Sequence, residues 1–159
     1  MQKITTALWF EKDGEQAAEY YVSLFKNSKI VRVFRSRGDA PAPKGSVVAV
    51  DFVLDGSQFN IINGGPAFPL TEAVSLSVDC EDQAEVDRLW DKLIADGGTP
   101  GPCGWLKDKF GLSWQIVPRV LNRLIYDADE TKAQRAVEAM LSTMGKLDVA
   151  VLQRAFDGK

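Results

Sequence analysis

The chain of 159 residues contains no histidine. That absence removes the side chain that most often acts as a general base near neutral pH, and the commonest transition-metal ligand. Ser-His-Asp and Cys-His catalysis are excluded, as are zinc sites built on imidazole. Cysteine is scarce: Cys80 and Cys103 are the only 2, too few for a disulfide framework or a tetrathiolate metal site. No apolar run approaches the roughly 20 residues that span a bilayer. The N-terminal MQKITTALWF lacks a signal-peptide pattern, because strand-like alternation begins at once. Positive charge is not in excess. The formal net charge is −3, which offers no basic face for nucleic acid. These absences lead to an expectation of a cytoplasmic protein with reduced thiols and with neither a membrane nor a nucleic-acid partner. The 45% hydrophobic and 26% charged content suits one soluble domain with a real core.

What the sequence does contain is one plan written twice. Residues 3–10 alternate and read as a strand. A helix opens at Asp13 or Gly14 and runs to about Lys26, with Ala17, Tyr20, Tyr21 and Leu24 on one face and Asn27 as a stop. Residues 29–35 read as a strand, and GDAPAPKG (residues 38–45) as a loop. VAVDFVLDGSQFNIIN then gives a hairpin over residues 47–54 and 58–63, turning at Asp55-Gly56. After NGGPAFP the plan restarts. Residues 73–80 form a strand, and Asp82 with Glu85 resembles a capping box. Val86, Leu89, Trp90 and Leu93 make the buried stripe of a helix closed by Gly97. Residues 99–101 break the chain. CGWLKDKFGLSWQIVP (residues 103–118) is the second hairpin, with its turn at Lys109-Phe110-Gly111. Asn60 in the first hairpin and Gln115 in the second occupy the same place. The fold class is α+β, with two βαβββ modules.

The C-terminal segment follows a different pattern. Pro118 starts a short helix through Tyr126. Asp129 caps a second, with Ala133, Val137, Met140 and Met144 along one stripe. Asp148 caps a third, with Leu147 and Leu152 placed as a hydrophobic staple. These helices are expected to cover the domain's own sheet or a dimer partner. Their mixed charges argue against a membrane surface.

Several single residues carry competing readings. Trp90 and Trp114 are read as core. Lys107, Asp108 and Lys109 precede a turn, where side chains are usually solvated. Cys103 is read as a structural thiol, because neither histidine nor an evident helix N-terminus stands behind it to lower its pKa. Arg32, Arg35 and Arg37 form a basic edge, of use either to an anionic ligand or as protection for an exposed strand.

The stretches ALWF…EQAAEYYVSLF and AVSLSVDCEDQAEVDRLWDKL, in two βαβββ halves, resemble the glyoxalase/bleomycin-resistance (vicinal oxygen chelate) superfamily. FKNSKI, NGGP, CGWLKDKFGLSWQIVP and the tail KAQRAVEAM…LDVAVLQRAF resemble its PhnB-like subgroup, labelled 3-demethylubiquinone-9 3-methyltransferase. The resemblance implies a glyoxalase-like cup made by module one (1–66) and module two (70–118), followed by a helical tail (119–159). It also implies a homodimer. Metal-dependent members place four ligands on the first and last strands of each half. Those positions correspond here to Asn60 and Gln115, and to places near Thr5 and Ala73. This chain departs from the pattern at all of them, since neutral amides, a hydroxyl and a methyl group replace carboxylates and imidazoles. No metal and no cofactor are therefore expected.

Trp9, Asn60, Asn63, Ser75, Ser77, Trp105 and Gln115 are the candidate lining of a pocket for a small aromatic or amphipathic ligand. No catalytic residue is identified. The alternative is a metal-free enzyme acting on a small carbonyl or quinone-like substrate. In it the amides would polarise a carbonyl, and a lysine or Tyr20 or Tyr21 would move protons. The methyltransferase label finds no glycine-rich turn between a strand and a helix where adenosylmethionine would sit.

Overall fold

Each half of the chain folds into a four-stranded mixed sheet packed against one helix, and the two sheets share the same strand order. The computed structural model describes residues 3–159 and divides after Leu70 into two units. The duplicated βαβββ reading holds, with the helical tail appended to the second unit.

The first unit comprises β1 (Thr6–Phe10), α1 (Gly14–Leu24), β2 (Lys29–Arg35), β3 (Val47–Leu54) and β4 (Ser57–Asn63). The order is β1-β4-β3-β2, with β1 parallel to β4 and the other pairs antiparallel. Alternation sends Leu8, Phe10, Val50, Phe52, Leu54 and Ile61 into the core beside Ala17, Ala18, Tyr21 and Leu24 of α1. Burial of each large side chain stabilises the unit by about 1.5–3 kcal/mol. Tyr20 is only half-buried, and Ala18 takes its expected place on the inner face. Helix α1 ends at Leu24, two residues short of the expected end at Lys26. Asn27 follows in the left-handed region at φ 52°. The Asp55-Gly56 turn has φ of 45° and 79°, the left-handed pair that a two-residue hairpin needs. Strand β1 begins at Thr6, so Thr5 lies outside it.

The second unit comprises β5 (Ser75–Cys80), α2 (Gln83–Ile94), β6 (Thr99–Pro100), β7 (Trp105–Lys107) and β8 (Ser113–Pro118), in the order β5-β8-β7-β6. Asp82 accepts from the Glu85 N–H at 2.9 Å, and the Glu85 carboxylate accepts from the Glu81 N–H at 2.8 Å. This is the expected capping box, displaced by one residue on its return bond. Val86, Leu89, Trp90 and Leu93 are all buried, as is Trp114. Three expectations are corrected. Residues 99 and 100 pair with β7 as a fourth strand instead of breaking the chain. Helix α2 stops at Ile94, and a 3₁₀ turn over Ala95–Gly97 carries the chain to Gly97. Ala73 precedes β5 and is exposed.

Helices α3 (Val120–Ile125), α4 (Glu130–Ser142) and α5 (Val149–Asp157) complete the second unit. Leu121, Leu124, Ala136, Leu147, Leu152 and Phe156 form one cluster, so the Leu147–Leu152 staple is present. Asp129 and Asp148 cap their helices as expected. Met144 was expected on the inner stripe of α4, but it is 84% exposed. The reason is that α4 ends at Ser142, after which Met144 leaves the helix to bridge Pro102. The tail is fixed to its own unit. Gln83 of α2 accepts from the Val149 N–H at 2.8 Å and donates to the Leu147 carbonyl at 3.1 Å, while Lys146 pairs with Asp87 at 2.8 Å. Among the described residues, no helix is long and apolar enough to cross a membrane.

Candidate functional site

The hairpins set the two amides in corresponding rows on the sheet faces opposite the helices. In the first unit, Ala7, Asn60, Asp51 and Arg32 stand side by side across β1, β4, β3 and β2. Asn60 Nδ2 donates to Asp51 Oδ1 at 2.6 Å, and the other Asp51 oxygen accepts from the Arg32 guanidinium. Asn60 is therefore held by an ion pair. In the second unit, Ser77, Gln115 and Trp105 stand across β5, β8 and β7. Gln115 Nε2 donates to Ser75 Oγ at 2.8 Å. The neighbours of the two amides are thus Ala7 in one sheet and Ser75 and Ser77 in the other, two or more residues along from Thr5 and Ala73.

This donor set does not fit a divalent cation. Asn60 turns a hydrogen-bearing nitrogen toward Asp51, whose carboxylate is held by Arg32, and Ala7 offers only a methyl group. Among the described residues, no group of three acidic or thiol side chains could hold a metal. Arg35 is likewise committed, to Glu15 at 2.7 Å. On β2, Arg32 and Arg35 are both held in ion pairs, and Arg37 lies beyond the strand.

Trp9 and Asn63 line a cavity of about 840 Å³ in the first unit, with Lys12, Glu15, Pro41 and Ile62. Both are also structural anchors of the NGGP stretch. Asn63 Oδ1 accepts from the Gly14 N–H at 2.9 Å, while its nitrogen donates to the carbonyls of Lys12 and Val47 at 3.0 and 3.2 Å. It caps α1 in place of Asp13, which makes no side-chain cap bond. Trp9 Nε1 donates to the Gly65 carbonyl at 2.8 Å, and its ring meets Phe68 edge-on at 5.0 Å. A Cβ on Gly64 would lie 2.0 Å from the Trp9 ring, so the indole packs only under glycine.

The second unit holds a cavity of about 530 Å³, lined by Glu72, Thr99, Pro102, Cys103, Trp105, Lys107 and Ser113 among others. Trp105 is thereby placed in a cavity, whereas Ser75, Ser77 and Gln115 line neither cavity. Thr99, Lys107, Ser113 and Ser75 form a second row across the four strands, two residues along from the Gln115 row. Lys107 pairs with Glu72 at 2.6 Å, and that bond holds the Glu72 carboxyl below the usual carboxylate range. Ser113 is 1% exposed, and its Oγ has no hydrogen-bond partner among the described residues. Alternation from Gln115 would have flagged Ser113, since the two residues share a face.

The remaining candidates are structural. Asp108 is buried, not solvated, and bonds into its own turn. Cys103 is half-buried, and its thiol donates to the Leu141 carbonyl at 3.7 Å. Its backbone and that of Gly104 donate to the Thr143 and Gly145 carbonyls of the tail, both at 2.9 Å. The Cys-Gly step is the dock for the tail. Tyr21, proposed as a proton carrier, is fully buried on α1.

Residues 2–117 match a family described as 3-demethylubiquinone-9 3-methyltransferase. A solved structure described as a putative 3-demethylubiquinone-9 3-methyltransferase, a PhnB protein from Bacillus cereus, is 40% identical. The match covers 72% of this chain and 97% of that one, with a TM-score of 0.65. Protein PA1353 from Pseudomonas aeruginosa is 22% identical over 72% of this chain and 95% of its own, with a TM-score of 0.57. A glyoxalase/bleomycin resistance protein from Albidiferax ferrireducens is 16% identical over 71% of this chain and 96% of its own, with a TM-score of 0.44. No curated protein matches the chain. The family match stops at residue 117, so α3, α4 and α5 lie beyond it.

Proposed function

The chain belongs to the 3-demethylubiquinone-9 3-methyltransferase family, and on that footing we propose that it is a metal-independent small-molecule-binding protein. Its ligand is a small aromatic or amphipathic molecule held against the open face of a sheet. The observation that carries this reading is the indole in each cavity, Trp9 in one unit and Trp105 in the other. An indole wall beside a few polar groups suits a planar ligand. The neutral, already engaged amides supply the metal-independent part of the reading.

The methyl transfer in the family's description gains no support from these residues. The connections from β1 to α1 and from β5 to α2 run through Glu11-Lys12-Asp13 and Glu81-Asp82, with no glycine-rich turn to receive adenosylmethionine. Free Cys80 and Cys103 accord with a cytoplasmic site of action. A homodimer is part of the same proposal, and light scattering that finds only a 17.5 kDa species would remove it.

Thermal-shift screening of aromatic and amphipathic compounds tests the binding reading, paired with calorimetric titration of Ni²⁺, Zn²⁺ and Mn²⁺. A ligand at one hundred times its Kd should stabilise the protein by about 2.7 kcal/mol, which raises Tm by roughly 5–10 °C for a chain of this size. Stoichiometric metal binding that disappears in Asp51→Ala would overturn the metal-independent reading.

A further inference from the structure

We propose that the cavity of the second unit is a binding site for an uncharged aromatic carbonyl compound, seated on Trp105 with its carbonyl oxygen hydrogen-bonded to Ser113 Oγ. This rests on the small-molecule-binding reading and narrows it to one cavity and one ligand class.

Two independent observations meet there. The first is a cavity of about 530 Å³ with an indole on one side and the rings of Pro100 and Pro102 in its lining. The second is Ser113, a residue of the same lining, whose buried hydroxyl has no partner among the described residues. Buried hydroxyls almost always have a partner, because desolvation without a hydrogen bond is costly. A ligand oxygen at this point would supply the missing one. Ser113 stands directly opposite Lys107 on β7 and Ser75 on β5, and the Ser75 hydroxyl is occupied as the acceptor from Gln115.

Charge selects the ligand class. Among the described residues Lys107 is the only cation lining the cavity, and it is paired at 2.6 Å with Glu72, which lines the cavity too. The pair is neutral as a unit. An anionic ligand would have to take Lys107 from Glu72, and a cationic one would have to take Glu72 from Lys107. A neutral ring bearing a carbonyl leaves the pair intact and gains the Ser113 bond.

Benzamide and benzoate differ little in shape and by one charge, so they make the test. Each is titrated into ¹⁵N-labelled full-length protein while the indole N–H signals of Trp105 and Trp9 are followed, assigned with Trp→Phe variants. Benzamide should shift the Trp105 indole and the amides of β8, and bind at least several-fold tighter than benzoate. Ser113→Ala should weaken benzamide binding by roughly three- to tenfold. It should not lower Tm, because the hydroxyl has no protein partner to lose. Equal or tighter binding of benzoate, or unchanged benzamide affinity in Ser113→Ala, overturns the assignment. Shifts confined to Trp9 also overturn it, while leaving small-molecule binding in place. An absence of shifts at both indoles overturns it as well, and the thermal-shift panel then decides the broader reading separately.

Discussion

The Asp108 carboxylate accepts a hydrogen bond from the Trp114 indole at 2.8 Å inside the second unit. Its other oxygen accepts from the N–H groups of Phe110 and Leu112, at 2.8 and 3.1 Å. One buried charge therefore closes the turn between β7 and β8 and fixes the large ring beneath it. Asp108→Ala strands three donors in the interior and should cost about 3 kcal/mol or more. Urea denaturation should show the loss, with a fall in Tm of roughly 10 °C. Asp108→Asn keeps acceptor oxygen and should lose less. An Asp108→Ala protein that melts within a degree of the parent would disprove this role.

Asn63 holds the start of α1 and the start of β3 together through three bonds. Asn63→Ala should destabilise the first unit by about 2–3 kcal/mol. Gly14→Ala should do comparable harm for a steric reason, since its Cβ would lie 2.3 Å from Ile61 Cγ2. Gly64→Ala should push the Trp9 ring aside, which intrinsic fluorescence would register as a change in emission. Unchanged emission would show that the indole has room the structure does not give it.

The two thiols should behave differently. Cys80 is fully buried, and desolvation, reinforced by Glu85 and Asp79, pushes its thiol up to about 12. A thiol in that state is inert to disulfide reagents at pH 8. Native protein should therefore consume at most one equivalent of Ellman's reagent, lost in Cys103→Ser, and urea should release the second. Rapid labelling of Cys80 in the native state would contradict its placement.

The pair of Lys146 with Asp87 makes tail docking pH-dependent. The hydrogen bond from Lys146 holds the Asp87 carboxyl below the usual carboxylate range, and the same bond raises the Lys146 ammonium above its usual value. The Asp87 contribution is complete at neutral pH and is lost as pH falls through the carboxylate range to its lowered folded value. The Lys146 contribution is complete below the ordinary lysine range, about 10.4, and fades as pH rises through it. Lys146→Met should therefore show a smaller fall in Tm between pH 7 and pH 3 than the parent protein. An equal fall would mean that the pair has no part in acid sensitivity.

The duplicated plan was legible because its signals are local. Asp55-Gly56 specifies a two-residue turn, and Val86, Leu89, Trp90 and Leu93 specify a helix face. Counting outward from that turn also pairs Asp51 with Asn60, so the carboxylate beside the first amide was within reach of the sequence. Arg32 was not, because its position opposite Asp51 follows a register shift between Ile30 and Arg32. The second hairpin turns at Lys109-Phe110-Gly111 as its sequence indicates, with the Gly111 N–H donating to the Asp108 carbonyl at 3.0 Å, but its loop is wider than a tight turn. Strand β7 ends at Lys107 and β8 starts at Ser113, and the wider loop exists because Asp108 folds inward to bond it. The role of the Cys-Gly step was hidden for a different reason, since its partners lie about forty residues downstream. Distance along the chain, not chemistry, concealed it.

That step determines how far the tail can be treated as a removable appendage. Cys103 and Gly104 both adopt positive φ, 54° and 81°, and a Cβ on Gly104 would lie 2.9 Å from both the Ile116 carbonyl and Leu147 Cδ1. A graft of residues 119–159 onto a relative that ends near residue 117 would therefore find no landing place unless its hairpin carried the same dipeptide. Two short stretches far apart in the chain depend on each other's backbone, and a chimera that ignores one of them inherits a loose end.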